Sequence, residues 1–291
     1  MHKFEKQLLE ESQLRAHTKV TYKTYLNRLR QFHNYIKKPL HQVSLFEIRE
    51  YFLYQINVKK IGRESLRNSF YAVRFYFVYC LNFNKEDFWF INVKRHQKIP
   101  TILSQKEVRE ILAKVKVLDY QICLKLIYAC GLRIGEAVKI QVADIDGERK
   151  ILTIRSGKGN KDRAVPIPEK MLEILREYWK THHNKTLLFP KRKSKDKTNF
   201  DRVKTDNHIA LRTVQNAMRL ALLETNITKR ATPHTLRHSF ATHLLEAGIN
   251  LRALQSYLGH KTLRATQIYI HLTKNSEIQS YKILNKLMSD L

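Results

Sequence analysis

Apolar residues recur at helical spacing along most of the chain, and residues 142–168 are the one stretch where they alternate instead. A chain with one short alternating stretch can build no more than a small sheet, so helices must supply its cores. Early in the chain, Tyr22, Leu26, Leu29 and Ile36 share a helical face, with Lys23, Arg28, Arg30 and Lys37 between them. Pro39 closes that region, and a second helix is expected over residues 45–58. Gly62 marks a break before a third helix, over about residues 65–83, and residues 84–87 read as a turn. The aromatic run SFYAVRFYFVYCLNF has 15 residues and contains Arg74, too short and too charged to cross a bilayer. A buried helix is the simpler reading, and an aromatic platform for bases the lesser one.

The segment NVKRHQKIP, residues 92–100, divides the chain. Its proline cannot continue a helix, and Ile99 before it is pushed toward an extended conformation. The expected organisation is a helical domain over residues 1–92, a basic linker over 93–100 and a second domain over 101–291. A basic linker suits a protein that closes around a duplex; an ordinary surface connection is the alternative. In the second domain, Ser104 and Glu107 form a capping box. A helix over residues 119–130 ends in Gly131, and another starts near Ile134. Residues 142–168 combine an Asp-Gly turn, alternating apolar residues and a Gly-Lys-Gly-Asn tip, the pattern of a three-stranded antiparallel meander. Helical pattern returns at 168–182, a charged loop over 191–208 is mobile by composition, and helices resume from Ile209. The fold class is therefore mainly α: a helical bundle followed by a mostly helical domain carrying one small antiparallel meander.

Lys and Arg number 54 against 26 Asp and Glu, so the formal charge is 54 − 26 = +28. A solubilising surface needs a charge of roughly 2 to 8, so a polyanionic partner is indicated. A membrane surface would call for a basic amphipathic tail or a span, and neither is evident. Three cysteines, Cys80, Cys123 and Cys130, all in apolar runs, fit a reducing cytoplasm rather than a disulfide framework, and their spacing matches no zinc site. The N-terminal residues lack the apolar core of a signal peptide.

The stretch ATPHTLRHSFATHLLEAGINLRALQSYLGHKTLRATQIYIH, residues 231–271, holds the polar residues that matter most. Thr232 can cap its first helix, Pro233 fits the first helical position, and Gly248 lies just past the end. His234 and Arg237 share a face at i and i+3. Asn250 caps LRALQSYL, Gly259 stops it, and His260 follows at the helix end, free to point into a cleft. Tyr269 is expected in a further short helix. Arg133 sits between a helix stop and a helix start, where its planar fork can meet phosphate oxygens. Lys158 sits between glycines at the meander tip. His234 and His238 at i and i+4 could be metal ligands, but no HExxH pattern is present and Arg237 lies between them, so no metal is expected. His238, His243 and His271 read as packing or surface residues, and Tyr257, inside a helix of core pattern, as the weaker rival of Tyr269.

Taken together, GLRIGE, GKGNKDRAVPIP, HTLRHSFATHLLEAG, LGH and Tyr269 resemble the tyrosine recombinases of the lambda-integrase and Xer-like phage integrase family. The resemblance is strong over residues 100–275 and rests on size, pattern and charge before that. It implies a two-domain clamp: an N-terminal core-site-binding domain, and a catalytic domain ending in a tail helix. It also implies a catalytic set of Arg133, Lys158, His234, Arg237, His260 and the nucleophile Tyr269. On this reading both arginines clamp the non-bridging oxygens of a phosphodiester attacked by the phenol. Lys158 is the expected general acid for the 5′ oxygen. His234 is a candidate for the tyrosine's proton and His260 for a bond to a non-bridging oxygen, the division between them staying open. Glu136 either orients Arg133 or is an exposed helix acid. A 3′-phosphotyrosyl linkage conserves the bond energy, so neither ATP, metal nor other cofactor is implied.

Further DNA contacts are expected from Lys19, Arg28, Arg67 and Arg74 in the first domain, from Lys94, Arg95 and Lys98 in the linker, and from Lys161 at the meander tip. The implied partners are double-stranded DNA carrying a specific site and three further copies of the chain, a tetramer in the synaptic complex. The tail, with apolar residues at 278, 281, 284, 287 and 288, docks either on a neighbouring protomer or on its own domain. Without an arm-binding domain the chain leans toward Xer-like or transposon-type enzymes, located in the cytoplasm. A type IB topoisomerase would share the chemistry without site preference, and a non-catalytic DNA-binding regulator would bind in a salt-dependent way without a covalent intermediate.

Overall fold

The computed structural model describes residues 2–91, 99–155, 162–191 and 205–270. The chain divides into two compact units, Met1–Lys98 and Ile99–Leu291. The expected contacts Lys94, Arg95, Lys98 and Lys161, the expected acid Lys158, residues 192–204 of the 191–208 loop and the tail from residue 271 lie outside the described residues.

The first unit is a bundle of α1 (Lys3–Leu14), α2 (Lys19–Ile36), α3 (Leu45–Asn57) and α4 (Arg63–Cys80). Side chains cap two of them: Thr18 Oγ1 accepts from the Thr21 amide, and Ser44 with Glu47 closes a capping box. α2 stops at a left-handed Lys37, before Pro39 could act. α4 stops three residues short of the expected 83, where Asn82 takes φ +57°. Residues 85–88, where a plain turn over 84–87 was expected, wind into a 3₁₀ helix, with the Asp87 carboxylate accepting from the Asn84 amide. The aromatic run is core: Phe70, Phe75, Tyr76 and Phe77 are buried, with Phe77 edge-on to Phe32 and to Tyr76, and Phe70 edge-on to Phe52. Lys19 is exposed at the start of α2, and Arg28 donates to Gln31. The guanidiniums of Arg67 and Arg74 lie over the ring of Tyr71 at 5.5 and 5.0 Å.

The second unit is built around α6 (Leu118–Cys130), following α5 (Gln105–Ala113) with its Ser104–Glu107 cap. α6 is apolar nearly all round, with Ile122, Cys123, Leu124, Leu126, Ile127 and Cys130 buried, and such a helix must run through a core. It packs against α5, α8 (Glu169–Lys180), α9 (Leu211–Leu223) and α10 (Pro233–Glu246). α7 (Ile134–Ala137) follows α6 directly. The meander has β1 (Ile145–Asp146), β2 (Ile151–Ile154) and β3 (Arg163–Pro166), antiparallel in that order, with Leu152 opposite Ile145 and Val165. Residues 142–144, expected to open the first strand, form a 3₁₀ turn instead. α11 (Leu251–Leu258) and the short α12 (Arg264–Gln267) complete the described part. No helix of the described residues is long and apolar enough to cross a membrane.

α6 must end where it does because Gly131 takes φ +60° beneath the ring of Phe240; a Cβ there would lie 2.4 Å from two ring carbons. Left-handed backbone costs an L side chain about 1–2 kcal/mol before any clash. Gly131→Ala is therefore expected to lower the unfolding free energy by more than about 2 kcal/mol in denaturant titration, with the slope unchanged.

Candidate active site

The site grows from one buried cation. Thr232 and Thr235 close the cap of α10, with Pro233 in the first turn, and this sets the helix so that Arg237 points inward. Arg237 is 4 % exposed. Its Nη1 donates to the Gly131 carbonyl at 2.7 Å and its Nη2 to the Leu258 carbonyl at 2.6 Å. These are the carboxyl ends of α6 and α11, both stopped by a glycine in the left-handed region. Unpaired carbonyls at a helix end carry partial negative charge and suit a guanidinium. Burial first, and Arg133 second, bring the Arg237 value down to about 10, so the site holds more positive charge than it compensates.

Glu136 organises the remaining charge. It accepts from the Arg133 amide at 2.8 Å and from Arg133 Nη1 at 2.7 Å, closing the first turn of α7 as a cap. From the meander, Arg163 at the start of β3 reaches it with Nη1 at 3.0 Å and Nη2 at 2.8 Å, while Arg163 Nε donates to the Tyr257 carbonyl. Arg237 Nη1 lies 3.8 Å away. Of the two readings of Glu136, the orienting one matches this geometry, since its side chain is 10 % exposed. Burial pushes its carboxyl up, but the Arg163 and Arg133 bonds outweigh that and hold it at about 2. Three guanidiniums against one carboxylate leave the basin at 3 − 1 = +2. Arg237 spends three of its five N–H groups on the two carbonyls and His260; among the described residues, the other two have no hydrogen-bond acceptor.

His260 follows α11, its amide bonded back to Gln255. Arg237 Nη2 has only hydrogens to give, so the contact at 3.3 Å makes His260 Nε2 the acceptor. Nδ1 then carries the proton and donates to Thr266 Oγ1 at 3.0 Å. Burial and the neighbouring Arg237 and Arg133 hold this ring neutral, with its value down at about 4. Tyr269 lies in the turn after α12 rather than in a helix, 1 % exposed, with its ring parallel to that of His260 at 6.3 Å. Its hydroxyl is 2.9 Å from Nδ1 of His238. Burial pushes the phenol's value up while Arg237 and Arg133 pull against it.

Arg133, Glu136, Arg237, His260 and Tyr269 thus converge. His234 stands exposed one turn before Arg237, its value lowered by partial burial, Arg237 and Arg133. Expected to take the phenol's proton, it makes no hydrogen bond to Tyr269 among the described residues. His238, read as a packing or surface residue, is instead the phenol's partner; standing next to Arg237 in sequence was the one available signal. His243 does pack, against Tyr128. Arg163 and Thr266 were not expected. A charged residue opening an alternating strand was the signal for Arg163, and Thr266 carried none.

The comparisons with known proteins follow the same order along the chain. A profile described as the phage integrase family matches residues 101–276, and one described as the N-terminal SAM-like domain of phage integrases matches residues 4–84. The chain is 36% identical to the integrase/recombinase y4qK of Sinorhizobium fredii, over 91% of this chain and 83% of that one. It is 32% identical to the tyrosine recombinase XerA of Pyrococcus furiosus, over 91% and 93%. Its fold is similar to that of a lambda integrase tetramer bound to a Holliday junction, with a TM-score of 0.69, 16% identity and coverage of 88% and 77%.

The ion cluster fixes a pH dependence. Glu136 has a folded value of about 2 against an ordinary 4.5, so its stabilisation is complete above 4.5 and lost as pH falls toward 2. His238 and His260, at about 4 instead of 6.5, are protonated first in the unfolded chain, so stability already declines between pH 6.5 and 4. Glu136→Gln is expected to cost about 3–5 kcal/mol at pH 7, as for a buried ion pair that loses one partner, and to flatten the decline below pH 4.5 while keeping the one above it. Thermal unfolding followed from pH 3 to 8 checks both.

Proposed function

The chain belongs to the phage integrase family, and from that premise we propose that it is a site-specific DNA recombinase, cleaving and rejoining strands through a 3′-phosphotyrosyl intermediate. The observation that carries this reading is a buried phenol that lies within the field of the Arg237 and Arg133 guanidiniums, in a basin with uncompensated positive charge. A phosphodiester brings one negative charge to that basin, and more negative charge gathers on its non-bridging oxygens as the phenol attacks. Arg237 offers its two spare N–H groups, already oriented before substrate arrives, and Arg133 is pinned by Glu136. His260 braces Arg237 through Nε2, and His234 adds a solvent-facing ring nitrogen. Lys158 is assigned the proton for the departing 5′ oxygen. Each step exchanges one ester for another, so the chemistry calls for no energy source.

Residues 1–92 are assigned to grip the core site, with Lys19, Arg28, Arg67 and Arg74 on phosphates, and residues 101–291 to carry out the chemistry, joined by the basic linker with Lys94, Arg95 and Lys98. Lys161, near the assigned acid, completes the phosphate contacts. Exchange of two strands at each of two sites uses four nucleophiles, and the lambda integrase to which this fold is similar forms a tetramer on a junction; the same assembly on DNA, with the tail joining neighbours, is assigned to this chain. A cytoplasmic location follows from such a substrate. Integration or excision of a mobile element and resolution of joined chromosomes use the same step.

The test is to incubate the chain with sheared genomic DNA of its own host, denature it, and sequence the fragments left covalently attached. Recurrent sites joined through a 3′ end are expected, absent with Tyr269→Phe and reduced at least about 100-fold with Arg237→Lys, which cannot present a two-pronged fork. Adducts that persist in Tyr269→Phe would remove the phenol from its role, and adducts at scattered positions would remove site specificity.

A further inference from the structure

Three histidines surround the proposed chemistry, and only one has a nitrogen on the reacting hydroxyl. His260 commits Nε2 to Arg237 and Nδ1 to Thr266. His234 faces solvent one turn before Arg237. His238 places Nδ1 at 2.9 Å from the Tyr269 oxygen, with the two rings 5.7 Å apart at 45°. A buried phenol O–H needs an acceptor, and among the described residues His238 Nδ1 is the one it has, so the bond runs from the phenol to the imidazole. His238 sits mid-way along the 14-residue α10, beside the arginine that two helix ends hold in place, so its position is fixed before any substrate arrives.

Resting on the recombinase reading above, we propose that His238 is the proton acceptor for Tyr269. As the phenol oxygen bonds to phosphorus, its O–H bond breaks and the proton passes to His238 Nδ1. The P–O5′ bond breaks, and the 5′ oxygen takes its proton from the separate acid assigned to Lys158. In rejoining, the 5′ hydroxyl attacks phosphorus and gives its proton back to Lys158, the bond from phosphorus to the Tyr269 oxygen breaks, and His238 returns its proton to the departing phenolate. In the free chain the transfer is unfavourable: burial, then His234 and Arg237 on the same helix, hold His238 at about 4. His260 at the end of α11 faces it as a neutral ring, and Tyr269 from the turn after α12 as a neutral phenol. A phosphodiester in the +2 basin supplies the missing negative charge, stabilises the imidazolium, and so couples deprotonation of the nucleophile to the presence of DNA.

The test uses duplexes carrying a site recovered from the covalent adducts, in two forms: an ordinary phosphodiester, and a 5′-bridging phosphorothiolate whose thiolate leaves without a proton. His238→Asn keeps an oxygen near the Nδ1 position and so keeps a hydrogen-bonding partner for the phenol, but cannot titrate; His238→Ala removes both. Both variants are expected to slow adduct formation at least about 100-fold on both duplexes. Lys158→Ala is expected to be slow on the phosphodiester and near wild type on the phosphorothiolate. The wild-type rate is expected to fall as acid protonates His238, and that limb to vanish in His238→Asn. A wild-type rate in His238→Asn would reduce the residue to positioning, a faster His238→Ala would make it a latch on the resting nucleophile, and recovery of His238→Asn on the phosphorothiolate would place it on the leaving group; each overturns the proposal. Absence of any adduct in wild type would instead remove the recombinase reading beneath it.

Discussion

A guanidinium enclosed by protein has to be compensated, and here two helix ends do most of that work. The Gly131 and Leu258 carbonyls at the ends of α6 and α11 each take one N–H of Arg237. Neither helix could offer its last carbonyls inward without a left-handed glycine to turn the chain away. The apolar helix α6 in the core of the second unit, the cap that ends it and the cation at the centre of the site are therefore one construction. The same stop before His260 puts that ring on Arg237 and, through Thr266, steadies the turn that carries Tyr269.

The compensation is incomplete, and the proposed chemistry depends on this. Glu136 serves Arg133 and Arg163 at hydrogen-bond distance but stands 3.8 Å from Arg237. The basin keeps a surplus of positive charge and two guanidinium hydrogens without a described acceptor, together the complement of a phosphodiester. Holding charge oriented in a partly buried site costs stability in the free chain and, on the proposed reading, returns it when charge develops on the substrate. The three nearby histidines all have lowered values, through burial first and neighbouring positive charge second.

The parts of this design written in local signals could be read from the sequence. The Ser104 cap, the Gly131 and Gly259 stops and the alternating meander depend on residues within a few positions of each other. Helix ends were read less well: α4 stops at a left-handed residue, and Tyr269 falls in a turn where helical spacing had continued. Arg163 escaped notice because its partners lie 27 and 94 residues away, Glu136 on one side and the Tyr257 carbonyl on the other. His238 was set aside because its neighbour along α10, His234, matched a motif, whereas the choice between them is made by the position of a turn 31 residues later. Glu136 could not be decided from sequence, since an acid three residues after an arginine is equally at home on a solvent face.

The central claim is that the Arg237 basin receives the scissile phosphate. A crystal structure of Tyr269→Phe in complex with a duplex bearing its recombination site tests it most directly. The account predicts one non-bridging oxygen within about 3 Å of both Arg237 and Arg133, with Arg237 still bonded to the Gly131 and Leu258 carbonyls. A phosphate seated elsewhere, or an Arg237 that has abandoned both carbonyls to reach it, would contradict the account.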